Sequence, residues 1–192
     1  TQEHYIQQLS PIVLAKDAPT QGECDAAHAA AYSSLLGGVG WLVNARADIS
    51  VYTGSLQRCN KSPKSEDNKR LSQVLKWLKR TASLETAFHR LSGPLRICVI
   101  SDSAFKRQDD TGLACRGHFI VLCGDHSPDK LGGVCHILDF ASKRQRRVTR
   151  STYAAELNGL VDSLEIGKVI ALTVHEIHKG CVSATTAMRL EE

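Results

Sequence analysis

The sequence predicts an α+β protein: a helical N-terminal segment, residues 1–91, followed by a β-β-β-α unit, residues 92–192. Three observations predict this class. Apolar residues between positions 25 and 90 recur with a helical period. After the turn-forming Ser-Gly-Pro at 92–94 they form three short runs typical of strands. A longer stretch from 151 to 180 then returns to the helical period.

Two helices are expected in the N-terminal segment. The first spans residues 26–45, where three glycines at 37, 38 and 40 should weaken or bend it. The second, RLSQVLKWLKRT at 70–81, is a basic amphipathic helix, because Leu71, Val74, Leu75 and Leu78 keep the i, i+3, i+4, i+7 spacing. The intervening NKSPKSEDN, residues 60–68, reads as an exposed loop.

The predicted strands are LRICVISDSAF (95–105), RGHFIVLCGD (116–125) and GVCHILDFAS (133–142). Ile97–Ile100 is an uninterrupted apolar run, which favours a strand that is buried on both faces and central in the sheet. The three form an antiparallel meander. A long helix capped by Ser151 or Thr152 and ended by Gly180 is expected to pack across them.

Composition excludes several classes of protein. No run of about 18 apolar residues is present, so no membrane span is expected. Seven irregularly spaced cysteines favour a reduced, intracellular location in the cytoplasm or nucleus. The chain begins with Thr and shows no signal-peptide pattern, so we expect a piece of a longer chain.

The net charge of +4 is unevenly distributed. Residues 51–100 contain ten basic and three acidic side chains, and five of the eight residues from 143 to 150 are basic. Such clustering is compatible with a polyanionic partner, although a solvated charged face is the commoner explanation of charge alone.

Two carboxylates are candidate metal ligands. Asp102 follows the apolar run of the first strand, where it either binds a cation or caps the strand end. Glu156 lies in the second turn of the long helix, where a solvent-exposed role is the usual one. An Asp on the first strand and a Glu on the helix after the third strand is the arrangement with which ribonuclease H-like nucleases bind divalent cations.

Four segments, in order, resemble the tail of the reverse transcriptase and the ribonuclease H domain of Copia-type (Ty1/Copia) retrotransposon polyproteins. They are YSSLLGGVGWLVNARADI (32–49), LSQVLKWLKRT (71–81), ISDSAF (100–105) and SKRQRRVTRSTYAAEL (142–157). Ala47 stands where the family usually has Pro. The resemblance implies that residues 1–91 are a connection- or thumb-like segment and that residues 92–192 are the N-terminal part of a ribonuclease H-like domain.

The resemblance also implies an activity: hydrolysis of the RNA strand of an RNA–DNA hybrid with Mg²⁺ or Mn²⁺, held by Asp102 and Glu156. It implies phosphate contacts from the basic residues, which are Lys143, Arg144, Arg146, Arg147, Arg150, Lys76 and Arg80. The expected partners are a hybrid or other nucleic acid and the rest of the parent polyprotein, with no membrane.

The family's site has four carboxylates, and the later two follow this helix. Asp162 lies about 240° around the helix from Glu156, so it cannot replace one of them, and Asp139 is not at a motif position. We therefore expect this chain alone to be inactive or slow. Two alternatives remain open: a nucleic-acid-binding ribonuclease H-like module without catalysis, and a basic α+β domain that binds another protein.

Overall fold

The computed structural model describes residues 2–13, 22, 24–105, 113–124 and 133–180. The chain divides into two compact units, Thr1–Thr86 and Ala87–Glu192. The first is helical, and the second consists of an antiparallel sheet and one long helix. The predicted α+β class is therefore confirmed.

The N-terminal unit is built from short and medium helices. They are α1 (Glu3–Gln8), α2 (Ala26–Leu42), a 3₁₀ turn (Ala47–Ile49), α3 (Ser50–Gln57) and α4 (Ser65–Arg80). Leu71, Val74, Leu75 and Leu78 of α4 are buried, as their spacing predicts. They share one core with Tyr32 of α2, whose hydroxyl donates a hydrogen bond of 2.8 Å to the Leu56 carbonyl. Burial raises the pKa of Tyr32.

The glycines of α2 do not interrupt it, because the helix is continuous from Ala26 to Leu42. Gly38 allows α1 to approach closely. A Cβ at this position would lie 2.9 Å from Leu9 Cδ2 and 3.2 Å from the Tyr5 hydroxyl. The loss of helix propensity at this glycine is thus offset by packing between α1 and α2.

The prediction of an exposed loop over residues 60–68 is wrong at its C-terminal end, since α4 already begins at Ser65. The Lys64 backbone N–H donates to Asp67 Oδ2 at 3.0 Å, which satisfies one donor at the start of the helix. Ser65, Asp67 and Asn68 are buried rather than exposed. Their polarity indicated a loop, but it serves to begin the helix.

A buried arginine joins the turn after α2 to the end of α4. Arg46 is 4% exposed, and its guanidinium donates to both oxygens of Asp48 at 2.8 Å. It also donates to the Thr81 carbonyl at 2.9 Å and to the Thr81 hydroxyl at 2.7 Å. Asp48 accepts a further bond of 2.8 Å from the Trp77 indole. This network, Arg46–Asp48–Thr81–Trp77, satisfies a charge that would be costly to bury alone.

The network predicts acid sensitivity of the N-terminal unit. The Arg46 guanidinium beside Asp48, with help from the Trp77 indole, lowers the pKa of this carboxyl below its usual 3.8. A lowered folded-state pKa contributes stability that is present above about pH 4 and is lost as pH falls through the folded pKa. We expect the urea midpoint of the native chain, followed by tryptophan fluorescence, to fall more between pH 5 and pH 2 than that of Asp48→Asn. Parallel curves would contradict the assignment.

The C-terminal unit contains β1 (Arg96–Ala104), β2 (Leu113–Cys123), β3 (Cys135–Val148) and α5 (Thr152–Lys179). The strands form an antiparallel meander in the order β1-β2-β3, as predicted. Arg96 pairs with Cys123 at one end of the first ladder, and Ala104 pairs with Cys115 at the other. The β2–β3 ladder shifts register between Leu113 and Cys115 and again between Ile120 and Val121.

Two predictions for β1 are wrong. Within the described part of the sheet β1 is an edge strand and β2 is central. Burial along β1 alternates, with Ile97 and Val99 half-buried and Cys98 and Ile100 exposed. The cause is that α5 covers only one face of the sheet, so a run of apolar residues is buried at every second position only.

The helix α5 packs on the sheet through small residues. Ser151 caps it by accepting a hydrogen bond of 3.1 Å from the Ala154 N–H, and it ends before Gly180, whose φ is 86°. Its buried positions are Ala155, Gly159, Ser163 and Gly167. A Cβ at Gly167 would lie 2.6 Å from Val99 Cγ2, and one at Gly159 would overlap the Ser103 hydroxyl.

Six large apolar side chains of α5, among those whose period predicted the helix, do not form this contact. They remain partly exposed at Leu157, Leu160, Val161, Leu164, Val169 and Ile177. Small residues every fourth position let the two backbones approach, so the packed face is the one with the weakest hydropathy signal.

Candidate nucleic-acid interface and carboxylate pair

The third strand carries the basic stretch. It continues six residues beyond the predicted end at 142, so that Lys143, Arg144, Arg146 and Arg147 belong to β3. Arg150 follows, immediately before the α5 cap at Ser151. Lys143, Arg146, Arg147 and Arg150 are exposed, and Arg144 is half-buried. The structure thus places the five predicted cations on one strand end and the turn after it.

Gln145, in the middle of these cations, is buried, with 3% of its surface exposed. Its amide donates a hydrogen bond of 2.6 Å to the Ala155 carbonyl on α5 and one of 3.2 Å to the Ser103 hydroxyl on β1. One side chain therefore joins β3, β1 and the first turn of α5. We name Gln145, Ser103 and Ala155 the corner network.

Asp102 precedes Ser103 on β1, and its side chain belongs to the opposite face of the strand. It is exposed, and its partner across the ladder is Gly117, which in turn pairs with Ser142. The β2 position directly opposite the carboxylate therefore has no side chain. In the described ranges no ion pair involves the Asp102 carboxylate, whose exposed side chain is open to a ligand.

Glu156 follows Ala155 on α5 and is half-buried. Gly159, three residues further along α5, lies against Ser103 of β1. Asp102 and Glu156 thus flank the corner network from two elements. The structure brings them to the same end of the sheet, but on opposite faces of it. Over the described ranges, no three His, Cys, Asp or Glu side chains are grouped so that they could hold a metal ion.

Two other carboxylates of the C-terminal unit already have partners. Asp162 Oδ2 lies 3.1 Å from Arg116 Nη1, an ion pair without hydrogen-bond alignment. Asp139 Oδ2 lies 2.9 Å from Nε2 of the buried His118. Both therefore have a local structural role.

The N-terminus of α5 opens into a cavity of about 540 Å³, lined by Phe105, Arg150, Ser151, Thr152 and Tyr153. Backbone N–H groups in the first turn of a helix have no intrahelical acceptor and carry partial positive charge. Arg150 also lines this cavity, so its positive charge adds to that of the helix start, and the cavity suits an anion such as a phosphate.

Sequence reasoning missed three contributors to this surface: Gln145, Phe105 and Tyr153. Gln145 is the single uncharged residue among the cations from 143 to 147. That position within a basic run is the signal that could have marked it as buried. Phe105 and Tyr153 flank the strand end and the helix cap, and only the fold brings them to one cavity.

Lys76 and Arg80, the predicted contacts in the N-terminal unit, are both exposed on α4. They lie four residues apart and therefore on one side of the helix. Together with Lys69 they form a row of cations along α4.

Comparisons with protein-family models, with curated proteins and with solved structures gave no match. None of the helices in the described ranges has the length and apolar character that a membrane crossing requires.

Proposed function

We propose that the C-terminal unit is a ribonuclease H-like module of a Copia-type retrotransposon polyprotein that binds an RNA–DNA hybrid. In the parent protein it contributes to metal-dependent hydrolysis of the RNA strand. The observation that carries this proposal is the corner network. It holds the basic end of β3, the strand of Asp102 and the helix of Glu156 at one end of the sheet.

The basic residues of β3 and the α5 N-terminus supply the binding. Exposed arginines on a strand, together with N–H groups at a helix start, contact phosphates without reading bases. A hybrid is recognised mainly through its shape, phosphates and 2′-hydroxyls, and these contacts require no base-specific side chains. The five cations from Lys143 to Arg150 suit this kind of partner.

The carboxylates fit a hard divalent cation better than zinc, because both supply oxygen ligands. Mg²⁺ is commonly bound by one or two protein carboxylates and completed by substrate phosphates and water. Asp102 would hold it on the open face of the sheet, whereas Glu156 lies on α5 at the opposite face, so the two do not form a joint site among the described residues. When bound, such a cation supplies charge stabilisation at the scissile phosphate. The side chains of the chain itself position the hybrid.

A second candidate function is supported by a separate observation. Asp102 lies on the sheet face opposite α5, and the described residues contain no cluster of three possible ligands. This favours a module that binds nucleic acid through the same basic strand without cleaving it.

One experiment separates the two functions. The chain, Asp102→Asn and Arg147→Gln are each mixed with a labelled RNA–DNA hybrid, and binding and Mn²⁺-dependent cleavage are measured over a salt series. We expect Arg147→Gln to weaken binding and to reduce the slope of log K against log salt by about one. Lys179→Gln, an exposed cation at the far end of α5, is the matched control and should change neither.

Asp102→Asn should bind the hybrid as well as the native chain does, because the exposed Asp102 side chain is replaced by one of similar size and the backbone pairing of β1 is kept. Cleavage that is lost in this variant would support the nuclease. Binding without cleavage in both proteins would support the binding module. Binding that is insensitive to salt and to Arg147→Gln would contradict both functions.

A further inference from the structure

A groove in the N-terminal unit lies between α3 and α4 and encloses about 620 Å³. Its floor consists of Ile49, Leu56 and Val74, all buried. Tyr52 and Trp77 line it and are 59% and 46% exposed. Two aromatic side chains this exposed, beside an apolar floor, form a surface on which a planar ring can stack.

The arrangement at Trp77 is rigid before any ligand binds. Its indole N–H donates to Asp48 at 2.8 Å, and Asp48 is itself held by both nitrogen donors of Arg46. Because the orientation of the ring is already fixed, ligand binding costs little additional side-chain entropy. Its polar N–H is already satisfied, which leaves the ring faces as the available surface.

A row of cations follows one edge of the groove. At 100° per residue, Lys69, Lys76 and Arg80 fall within about 40° of one another on α4. They adjoin Gln73, which lines the groove, and all four residues are exposed. Lys79 lies on the opposite side of the helix from the groove. Three of the five cations of α4 therefore lie along this edge of the groove, and a fourth, Arg70, lines the groove and pairs with Glu66 at 2.7 Å.

We infer that this groove binds an unpaired base of single-stranded nucleic acid, with the neighbouring phosphates on the cation row. A basic track beside exposed aromatic rings is the combination that single-strand binding requires, because every base has a face that can stack. The polar groups of Ser55 and Gln73 within the groove suit a base edge better than an apolar peptide. This inference extends the proposed nucleic-acid binding to a second surface.

The chain contains two tryptophans, Trp41 and Trp77. The test therefore uses the full chain with Trp41→Phe, in which Trp77 is the only tryptophan. Quenching of its fluorescence is titrated with a short oligothymidine and with an abasic oligonucleotide of the same length. We expect the abasic strand to bind at least about fivefold more weakly, the factor that corresponds to about 1 kcal/mol for stacking one base. Tyr52→Ala should weaken binding of oligothymidine by a similar factor and leave binding of the abasic strand unchanged.

The charges are tested by a neighbouring pair on α4. Arg80→Gln should weaken binding of both strands, whereas Lys79→Gln should not. Equal binding of the two strands, or an unchanged affinity in Tyr52→Ala, would overturn the inference. The inference would also be overturned if an acidic amphipathic peptide quenched the fluorescence and oligothymidine did not. Asp102→Asn and Arg147→Gln should leave the quenching intact, so failure of the hybrid proposal and failure of this one are distinguishable.

Discussion

Replacing Gly159 by Ala should destabilise the C-terminal unit by about 2 kcal/mol, even though the same change in an exposed helix is stabilising by up to about 1 kcal/mol. The added Cβ would overlap the Ser103 hydroxyl. That hydroxyl accepts a hydrogen bond of 3.2 Å from Gln145, so it cannot rotate away without breaking the corner network. Either α5 moves off the sheet or the network opens.

Two comparisons isolate the cause. Gly37→Ala in α2 is the control for helix propensity, because a Cβ at Gly37 meets no atom within 4 Å. This substitution should raise the stability of the N-terminal unit. Ser103→Ala alone should cost about 1 kcal/mol for the lost hydrogen bond. In the Gly159→Ala background it should instead restore stability, because it removes the overlapping oxygen.

Hydrogen exchange measured by mass spectrometry across β1 and α5 gives the free energy of opening for each of the four proteins in this cycle. Additive losses in the double variant would show that the clash is not the cause. The same result would remove the physical basis for the corner network as a positioning device.

Replacing Asp48 by Ala should cost the N-terminal unit about 3 kcal/mol. Removing one partner of a buried pair leaves an uncompensated charge, which typically costs 3–5 kcal/mol. The lower end applies because 36% of the Asp48 side chain is exposed to solvent. Arg46 keeps its bonds to Thr81 but loses both to the carboxylate, and the Trp77 indole loses its acceptor.

Tryptophan fluorescence reports this unit selectively, because Trp41 and Trp77 both lie within it. The informative control removes both charges: Arg46→Met with Asp48→Leu should lose less than Asp48→Ala, since no charge is left buried. Asp25→Ala, at the exposed cap of α2, should cost about 1 kcal/mol. An Asp48→Ala cost no larger than that would contradict a buried charge on Arg46.

The sequence predicted the element types well where the signal is local. The spacing of Leu71, Val74, Leu75 and Leu78 and the breaker at 92–94 are properties of neighbouring residues, and the structure has the corresponding helix and strands. The face of β1 that is covered depends on α5, which begins 48 residues after β1 ends. Apolar content within the strand cannot encode that choice.

In the candidate site, too, the local features were predicted and the long-range contacts were not. Asp102 and Glu156 lie on the predicted strand and helix, and the basic residues lie beside them. The side chain that organises this corner, Gln145, is hidden in a charged run, and its partners Ser103 and Ala155 come from two other elements. Arg46 is likewise a buried cation whose partner Thr81 lies 35 residues away. Neither burial follows from hydropathy.

The continuation of β3 through residues 143–148 has a consequence for binding energetics. Backbone that must be ordered on binding costs roughly 1–2 kcal/mol per residue. The strand carrying Lys143, Arg144, Arg146 and Arg147 is already paired with β2 at Cys115 and Leu113. At the paired positions Lys143 and Arg144, a bound polyanion orders side chains and not backbone. Association through this strand should therefore have a smaller entropic penalty than association through a basic loop of the same sequence.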